Sequence, residues 1–242
     1  MRAVFARLWI FGLLASGLLA CGSQGDRPAA PASLEQALLE RDPLIRAYEL
    51  SGALQHLGPE DLEEALATLE RRQFGVTPEE VRLLMLAWAG FDPAGALAWA
   101  RAYPTPWSAT LADGAAFAWG YRNGAAAIAA VEALEDENER GRLRASVMDG
   151  WIRSEDKSGV AAHIAAQEDP RRRRRLTFVL VGEVRTQGID ALQRWVESLP
   201  DDLPNSFKQG AFYHASVAVA RDDPRRAADW LAPTTFREHC ND

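Results

Sequence analysis

A helix-start pattern that recurs along the chain constrains its fold more than any other feature. In the pair Asp92-Pro93 the aspartate suits a helix N-cap and the proline suits the first helical turn. Ala96, Trp99 and Ala100 follow at offsets of four, seven and eight, which places them on one helical face. The equivalent start positions, spaced by 31, 33, 32 and 35 residues, are Asp92, Asn123, Asp156, Gly188 and Asp223. A period of this length is typical of stacked helix pairs.

The repeat predicts an all-α fold, an α-solenoid of stacked antiparallel helix pairs. Each unit has a longer first helix and a shorter second helix that begins at the repeated start position. The first helices are predicted at about 77–91, 106–122, 138–154, 170–186 and 204–221. One helix pair cannot bury its own apolar face, so each unit needs neighbours, and large Trp between small Ala lets adjacent pairs interdigitate. The tryptophans predicted to pack in the repeats are Trp88, Trp99, Trp119, Trp151, Trp195 and Trp230.

Several features of the repeat unit match a known class of repeats. A length of about 33 residues comes with alanine at the helix-pair contact and with Ala118-Trp119-Gly120-Tyr121 followed by Ala127. In these features the segment 77–231 resembles the tetratricopeptide type of α-solenoid. The family's regular Gly and end-of-unit Pro do not occur at constant phase here, so a related class of helical repeats is an equal alternative. The resemblance implies a protein-binding scaffold and names no ligand-contact residue.

The first 21 residues have the organisation of a bacterial export signal. Arg2 and Arg7 precede an apolar run that ends at Leu19 and is too short for a comfortable membrane span. The sequence Leu18-Leu19-Ala20-Cys21 resembles the lipobox of bacterial lipoproteins, in which the cysteine is acylated and becomes the mature N-terminus. The resemblance implies lipidation of Cys21, and several acyl chains on one cysteine anchor a protein stably. The alternative is a plain secretory signal or a signal anchor that happens to contain a cysteine.

The segments that follow complete the predicted organisation. Residues 22–33 are rich in Gly, Ser, Pro and Ala, which predicts a flexible tether that reaches roughly 40 Å when extended. By the sorting rules of lipoproteins, the absence of Asp after the cysteine favours an outer-membrane location facing the periplasm. The predicted segments are the signal peptide 1–21, the linker 22–33, divergent N-terminal helices 34–76, the helical-repeat array 77–232 and the tail 233–242. Either this tail covers the last pair, or the exposed end docks a partner, or the reading frame is truncated.

Charge and histidine spacing argue against several kinds of ligand. The formal net charge of −7 argues against non-specific binding of nucleic acid as the main activity. None of the four histidines, His56, His163, His214 and His239, has a helical partner at the spacing of metal ligands. We therefore expect no metal and no cofactor. His163 replaces Trp at a repeated packing position, which favours a satisfied core or groove histidine.

Five consecutive arginines form the most unusual run in the chain: Arg171, Arg172, Arg173, Arg174 and Arg175. They begin a predicted first helix, where cations oppose the macrodipole and some compensation is expected. The equivalent start in the preceding unit is the acidic segment 135–139, so we predict a ladder of Arg–carboxylate pairs between the two helix starts. The other interpretation makes the run a binding site for an anion or an acidic partner.

The sequence contains no strong catalytic signature. Ser154 and Lys157 match the Ser-x-x-Lys spelling of penicillin-interacting enzymes, but the two companion motifs are absent and the predicted position is a loop between helices. The function that the sequence favours is a non-catalytic protein–protein interaction scaffold in the cell envelope, with an unidentified protein partner on a concave face built from the second helices. The alternatives are an envelope hydrolase or lytic enzyme on a helical scaffold, and a binder of anionic glycolipid or peptidoglycan through the arginine run.

Overall fold

The computed structural model describes residues 33–72, 75–103 and 108–232, and the regular secondary structure of these residues is entirely helical. The all-α fold class predicted from the repeat is therefore confirmed for this part of the chain. The predictions for the signal peptide, for Cys21, for nearly all of the tether and for the tail 233–242 lie outside the described residues.

From residue 78 onward, longer helices alternate with shorter ones, as the repeat predicts. A 3-10 turn, Pro59–Asp61, precedes α3. In chain order the helices are α1 Leu34–Leu39, α2 Pro43–Gln55, α3 Leu62–Arg72, α4 Pro78–Trp88, α5 Pro93–Ala102, α6 Ser108–Glu132, α7 Glu137–Arg153, α8 Lys157–Ala165, α9 Pro170–Arg185, α10 Ile189–Glu197, α11 Asn205–Asp222 and α12 Pro224–Leu231. The first helices of the repeat units are α4, the first part of α6, α7, α9 and α11.

The second helices begin at the positions that the repeat predicts. A side-chain oxygen of Asp92, Asp156 or Asp223 accepts a hydrogen bond from the backbone N–H three residues later, at 2.8, 2.8 and 3.0 Å. Each of these bonds satisfies one of the N–H groups that a helix start leaves free. Gly188 begins α10 without a side-chain cap, and its φ of 102° lies in the left-handed region that glycine adopts at no steric cost.

The second start position lies within the range of α6, where two helices meet at a kink at Asn123, as the repeat predicts. Asn123 has φ of −155° and ψ of 86°, close to the values at the caps Asp92 and Asp223, so one helix ends and the next begins there. The Asn123 side-chain oxygen accepts a hydrogen bond from the Ala126 N–H at 3.1 Å. The cap forms as predicted, but no loop residues separate the two arms.

Each helix packs mainly against its neighbours in the series, and α9 and α11 show how. The ring of Phe178 lies 5.5 Å from that of His214, and about two turns further along both helices Arg185 donates to Asp222 at 2.7 Å. Because both partners advance together along the chain, the two first helices run parallel. Helix α6 likewise contacts α4 and α7, and α7 contacts α9.

The backbones of α6 and α7 lie very close together at two glycines. A methyl group at Gly120 would overlap the Val147 carbonyl oxygen, and one at Gly150 would overlap the Phe117 carbonyl oxygen. The two helices therefore pack backbone to backbone, which only glycine permits at these points.

The apolar core continues along the described part of the chain. One cluster of buried side chains extends from Ala37 to Val147 and a second from Met148 to Ala227, and Ile128 packs against both. None of the described helices is long and apolar enough to cross a membrane.

The predicted tryptophans all pack against this core. Trp88 and Trp151 are buried, and the half-buried ones are Trp99, Trp119, Trp195 and Trp230. The residue at offset seven of a second helix stacks on a ring of its own first helix in three units. The pairs, with their ring separations, are Trp88 and Trp99 at 5.6 Å, Trp151 and His163 at 5.2 Å, and Phe212 and Trp230 at 4.9 Å.

Candidate binding face on helices α9 and α11

The arginine run occupies the first turns of α9. Asp169 caps this helix by accepting a hydrogen bond from the Arg171 N–H at 2.9 Å. Because five successive residues sweep more than a full turn, the side chains diverge. Arg172 and Arg173 are half-buried, and Arg173 donates to the Gln167 carbonyl oxygen at 2.7 Å. Arg171, Arg174 and Arg175 are exposed.

The predicted ladder between the arginine run and the segment 135–139 does not form. Among the described residues, none of the five arginines makes an ion pair with a carboxylate within 4.0 Å. Glu139 instead pairs with Arg101 at 2.8 Å, and Asp136 accepts from the Glu139 N–H at 2.9 Å as the cap of α7. The prediction was wrong, and two of the carboxylates are engaged elsewhere: Glu139 with an arginine of α5, and Asp136 with a free N–H group of its own helix.

Ion pairs do link neighbouring units elsewhere. Arg142 of α7 pairs with Asp113 of α6, and Arg185 of α9 pairs with Asp222 of α11. The exposed arginines of α9 differ in this respect from Arg142, Arg144, Arg153 and Arg185 on first helices, each of which pairs with a carboxylate.

An apolar segment continues the exposed arginines along the same side of α9. Phe178 and Val179 follow Arg174 and Arg175 at a spacing of four, and their side chains are 58% and 42% exposed. The opposite side of α9 faces the core through Thr177, Leu180, Val181 and Val184. Phe178 and Val179 therefore point away from the apolar interior that their helix helps to form.

Helix α11 adds a second row of exposed side chains beside this one. Tyr213 is 63% exposed and Val217 is 36% exposed. The His214 ring lies between the two rows, 5.5 Å from the Phe178 ring and 5.4 Å from the Tyr213 ring, with edge-to-face geometry in both pairs. Burial lowers the pKa of the His214 imidazole, and the Arg174 guanidinium lowers it further.

The side chains on the outer sides of these two packed helices make up what we call the α9–α11 face. Its members are Arg171, Arg174, Arg175, Phe178, Val179, Tyr213, His214 and Val217. It combines arginines that make no ion pair with a described residue at one end with apolar and aromatic surface at the other.

The face lies on first helices rather than on the second helices that the sequence favoured. Across the described residues, one exposed large apolar residue, Leu231, lies on a second helix. In the same part of the chain, six lie on first helices: Leu83, Tyr121, Phe178, Val179, Tyr213 and Val217. Four more lie on α1 and α2: Leu39, Leu44, Ile45 and Tyr48. The second helices present mainly small or charged side chains to solvent, which offer less apolar area to a partner.

Sequence reasoning identified the arginines of this face but not its apolar part. Arg171, Arg174, Arg175, Phe178 and Val179 follow the spacing of a helical stripe, which is a signal visible in the sequence. That signal does not separate a buried stripe from an exposed one. Helix α11 is apolar on several sides, so periodicity did not single out Tyr213.

The half-buried His163 occupies a satisfied environment. Its ring stacks on Trp151, and its Nε2 lies 3.1 Å from the Gln167 side-chain nitrogen. Burial lowers the pKa of the His163 imidazole, and the Arg172 guanidinium adds to that shift. The geometry is that of a packing residue.

The Ser154 and Lys157 side chains both serve the end of α7. The buried Ser154 hydroxyl donates to the Trp151 carbonyl oxygen at 2.8 Å. The Lys157 ammonium donates to the carbonyl oxygens of Ile152 and Ser154 at 2.6 and 2.7 Å. Burial lowers the pKa of that ammonium. Both side chains cap α7 by donating to its last carbonyl oxygens. The Lys157 cation is also stabilised there by the negative end of the helix dipole.

Metal-ligating residues do not cluster in the described part of the chain, where no group of three or more His, Cys, Asp or Glu side chains could hold a metal ion. Comparison with known proteins gives no match to a family model, to a curated protein or to a solved structure.

Proposed function

We propose that this protein is an exported lipoprotein, acylated at Cys21, whose helical array is a non-catalytic scaffold for protein–protein interaction in the cell envelope. The tether 22–33 would hold the array off the membrane. The partner binds the α9–α11 face.

The proposal includes an α-solenoid of the tetratricopeptide type or a sibling class. Three observations support it: the second helices start at a regular period, each helix packs mainly on its neighbours in the series, and α9 and α11 run parallel. In such arrays each unit contacts only adjacent units, which leaves long helix faces free for ligands.

The α9–α11 face is the observation that carries the binding function. Tyr and Arg are among the residues that contribute most energy at protein interfaces, and aromatic residues and Arg are enriched there. Phe178 and Tyr213 are more than half exposed although both are large rings. Contiguous apolar surface rimmed by polar groups is typical of an interaction site.

In-cell photo-crosslinking tests the proposal. A photo-crosslinking amino acid is placed at Gly182, which is exposed one turn beyond Phe178 and where an added side chain meets no atom within 4 Å. We expect an adduct with a specific envelope protein that disappears when Phe178→Ala and Tyr213→Ala are introduced together.

The control places the same amino acid at Gly52 of α2, where the space is equally open. An adduct that persists in the double variant, or one formed equally from Gly52, would contradict binding at the α9–α11 face. The anchor is tested separately with Cys21→Ser, which should release the protein from the membrane fraction and abolish incorporation of labelled fatty acid.

A further inference from the structure

The exposed arginines of α9 make no ion pair within the described part of the protein. Arg171, Arg174 and Arg175 have no carboxylate within ion-pairing distance, although the chain has more acidic than basic residues. They also lie near the positive end of the α9 dipole, which disfavours cations. A group of like charges in such a position is stabilised by an anionic ligand.

The charge is confined to one end of the face. The apolar centre, Phe178 and Val179, begins one turn after Arg174, and Tyr213 lies beside it on α11. Beyond that centre the next arginine, Arg185, is neutralised by Asp222. From Arg171 to Phe178 the helix rises roughly 11 Å.

A ligand that matches this arrangement has different chemistry at its two ends. It has carboxylates at one end and apolar side chains one to two turns away, which a short helix with an acidic end and an apolar anchor supplies. A ligand helix would lie on the side chains of the parallel helices α9 and α11, with its axis about 8–10 Å from theirs, as for packed helices.

We propose that the α9–α11 face binds a helix of a protein partner that carries carboxylates at one end and an apolar anchor one to two turns away. Carboxylates of the ligand pair with Arg171, Arg174 and Arg175, and an apolar anchor packs on the exposed rings of Phe178 and Tyr213, over His214. This inference rests on the proposed function at the same face and names the chemistry of the partner. It does not depend on lipidation of Cys21.

A bilayer fits the face less well than a helix does. An anionic membrane attracts basic residues spread around an apolar patch, because its charge lies in a plane. Here the basic residues occupy one end only, and the paired Arg185 and Asp222 close the other end. The asymmetry favours a ligand with an acidic end and an apolar end.

The test starts from a phage-displayed library of random 16-residue peptides, selected against the full-length chain. A parallel selection uses a variant with Arg171→Gln, Arg174→Gln and Arg175→Gln, whose side chains are exposed and whose removal leaves the core unchanged. We expect the native chain to enrich peptides with Glu or Asp one to two turns from a large apolar residue. The variant should not enrich them.

Affinities of a selected peptide then separate charge from packing. We expect the triple Gln variant to bind it at least tenfold more weakly, and a peptide with Glu replaced by Gln to lose the same factor on the native chain but little on the variant. Phe178→Ala should weaken the binding of both peptides, whereas raised salt should weaken the binding of the acidic peptide only. Tyr48→Ala on α2 should leave the binding of both peptides unchanged.

Three results would overturn the proposal. They are selection without an acidic excess, selection that is indifferent to the three arginines, and saturable binding to phosphatidylglycerol vesicles with no selected peptide. Each is distinct from failure of the proposed function. Crosslinking from Gly182 can depend on Phe178 and Tyr213 while peptide binding is unaffected by charge. That result would support the scaffold function and contradict an acidic partner.

Discussion

At the scale of single residues, the glycines between α6 and α7 make the sharpest prediction. Gly120→Ala and Gly150→Ala each force a methyl group onto a carbonyl oxygen of the facing backbone, so the helices must separate. We expect each substitution to lower the free energy of unfolding by about 1–3 kcal/mol, the usual cost of overpacking. Urea unfolding followed by circular dichroism measures the change.

Matched controls come from exposed helical glycines with open space. Gly141→Ala and Gly182→Ala meet no atom within 4 Å, so they should raise stability by up to about 1 kcal/mol through helix propensity. If all four substitutions had the same sign, the close backbone contact of α6 and α7 would be refuted.

The contrast between these glycines illustrates what residue-level sequence reasoning lacks. Gly120 and Gly182 both stand in helix interiors, and nothing in the local sequence distinguishes them. The difference arises from the helix that faces each one, about 27 residues away in the case of Gly120 and Val147.

At the scale of elements, Asp156 has two functions where Asp92 has one. Both cap a second helix through the N–H three residues later. Asp156 also accepts a hydrogen bond from the Trp151 indole N–H at 3.0 Å, which joins α7 to α8. We therefore expect Asp156→Ala to cost about 2 kcal/mol and Asp92→Ala about 1 kcal/mol.

Thermal or urea unfolding of the two variants measures this difference. Asp156→Asn keeps an oxygen that can cap α8, so it should fall between the native chain and Asp156→Ala. Equal losses for Asp92→Ala and Asp156→Ala would mean that the Trp151 bond adds nothing to the joint between α7 and α8.

At the scale of the whole molecule, ion pairs between helices predict loss of stability in acid. The best-shielded pair joins Arg46 of α2 to Glu80 of α4, whose side chains are 18% and 13% exposed. Burial by itself would raise the pKa of Glu80, but hydrogen bonds from Arg46 and from Thr77 outweigh it and hold the pKa below its ordinary value. Hydrogen bonds from Arg144 and from Arg101 likewise lower the pKa of Glu132 and of Glu139.

The sign follows from proton linkage. A carboxylate with a lowered folded pKa binds fewer protons in the native state than in the unfolded state, so its stabilisation is complete above the ordinary pKa of 4.5. It is lost as the pH falls through the lower folded value. These carboxylates should leave the urea midpoint of unfolding unchanged between pH 7 and about pH 5.5. At pH values under about 4.5 we expect the midpoint to decrease.

Arg46→Met isolates the contribution of one pair. It should cost about 1–3 kcal/mol at pH 7, because Glu80 keeps its burial and loses its partner, and it should flatten the drop below pH 4.5. The control is Arg153→Met, which removes an exposed pair with Asp149 and should change stability by less than about 1 kcal/mol. A native pH profile retained in Arg46→Met would contradict this account.

The sequence alone determined the features that depend on one or two helical turns. The all-α class and the start residues Asp92, Asp156 and Asp223 follow from capping and from apolar periodicity, because a cap bonds to an N–H only three residues away. Packing of the tryptophans at repeated positions was predictable for the same reason.

Only the tertiary structure decided which sides of the helices meet and which stay free. It placed Glu139 against Arg101, left Arg171, Arg174 and Arg175 without carboxylates, and turned Phe178 outward beside Tyr213. These outcomes depend on contacts between residues that are some 30 to 40 positions apart in the sequence, such as Arg101 and Glu139 at a separation of 38. The energies that choose among such contacts come from neighbouring helices, so a local pattern cannot specify them.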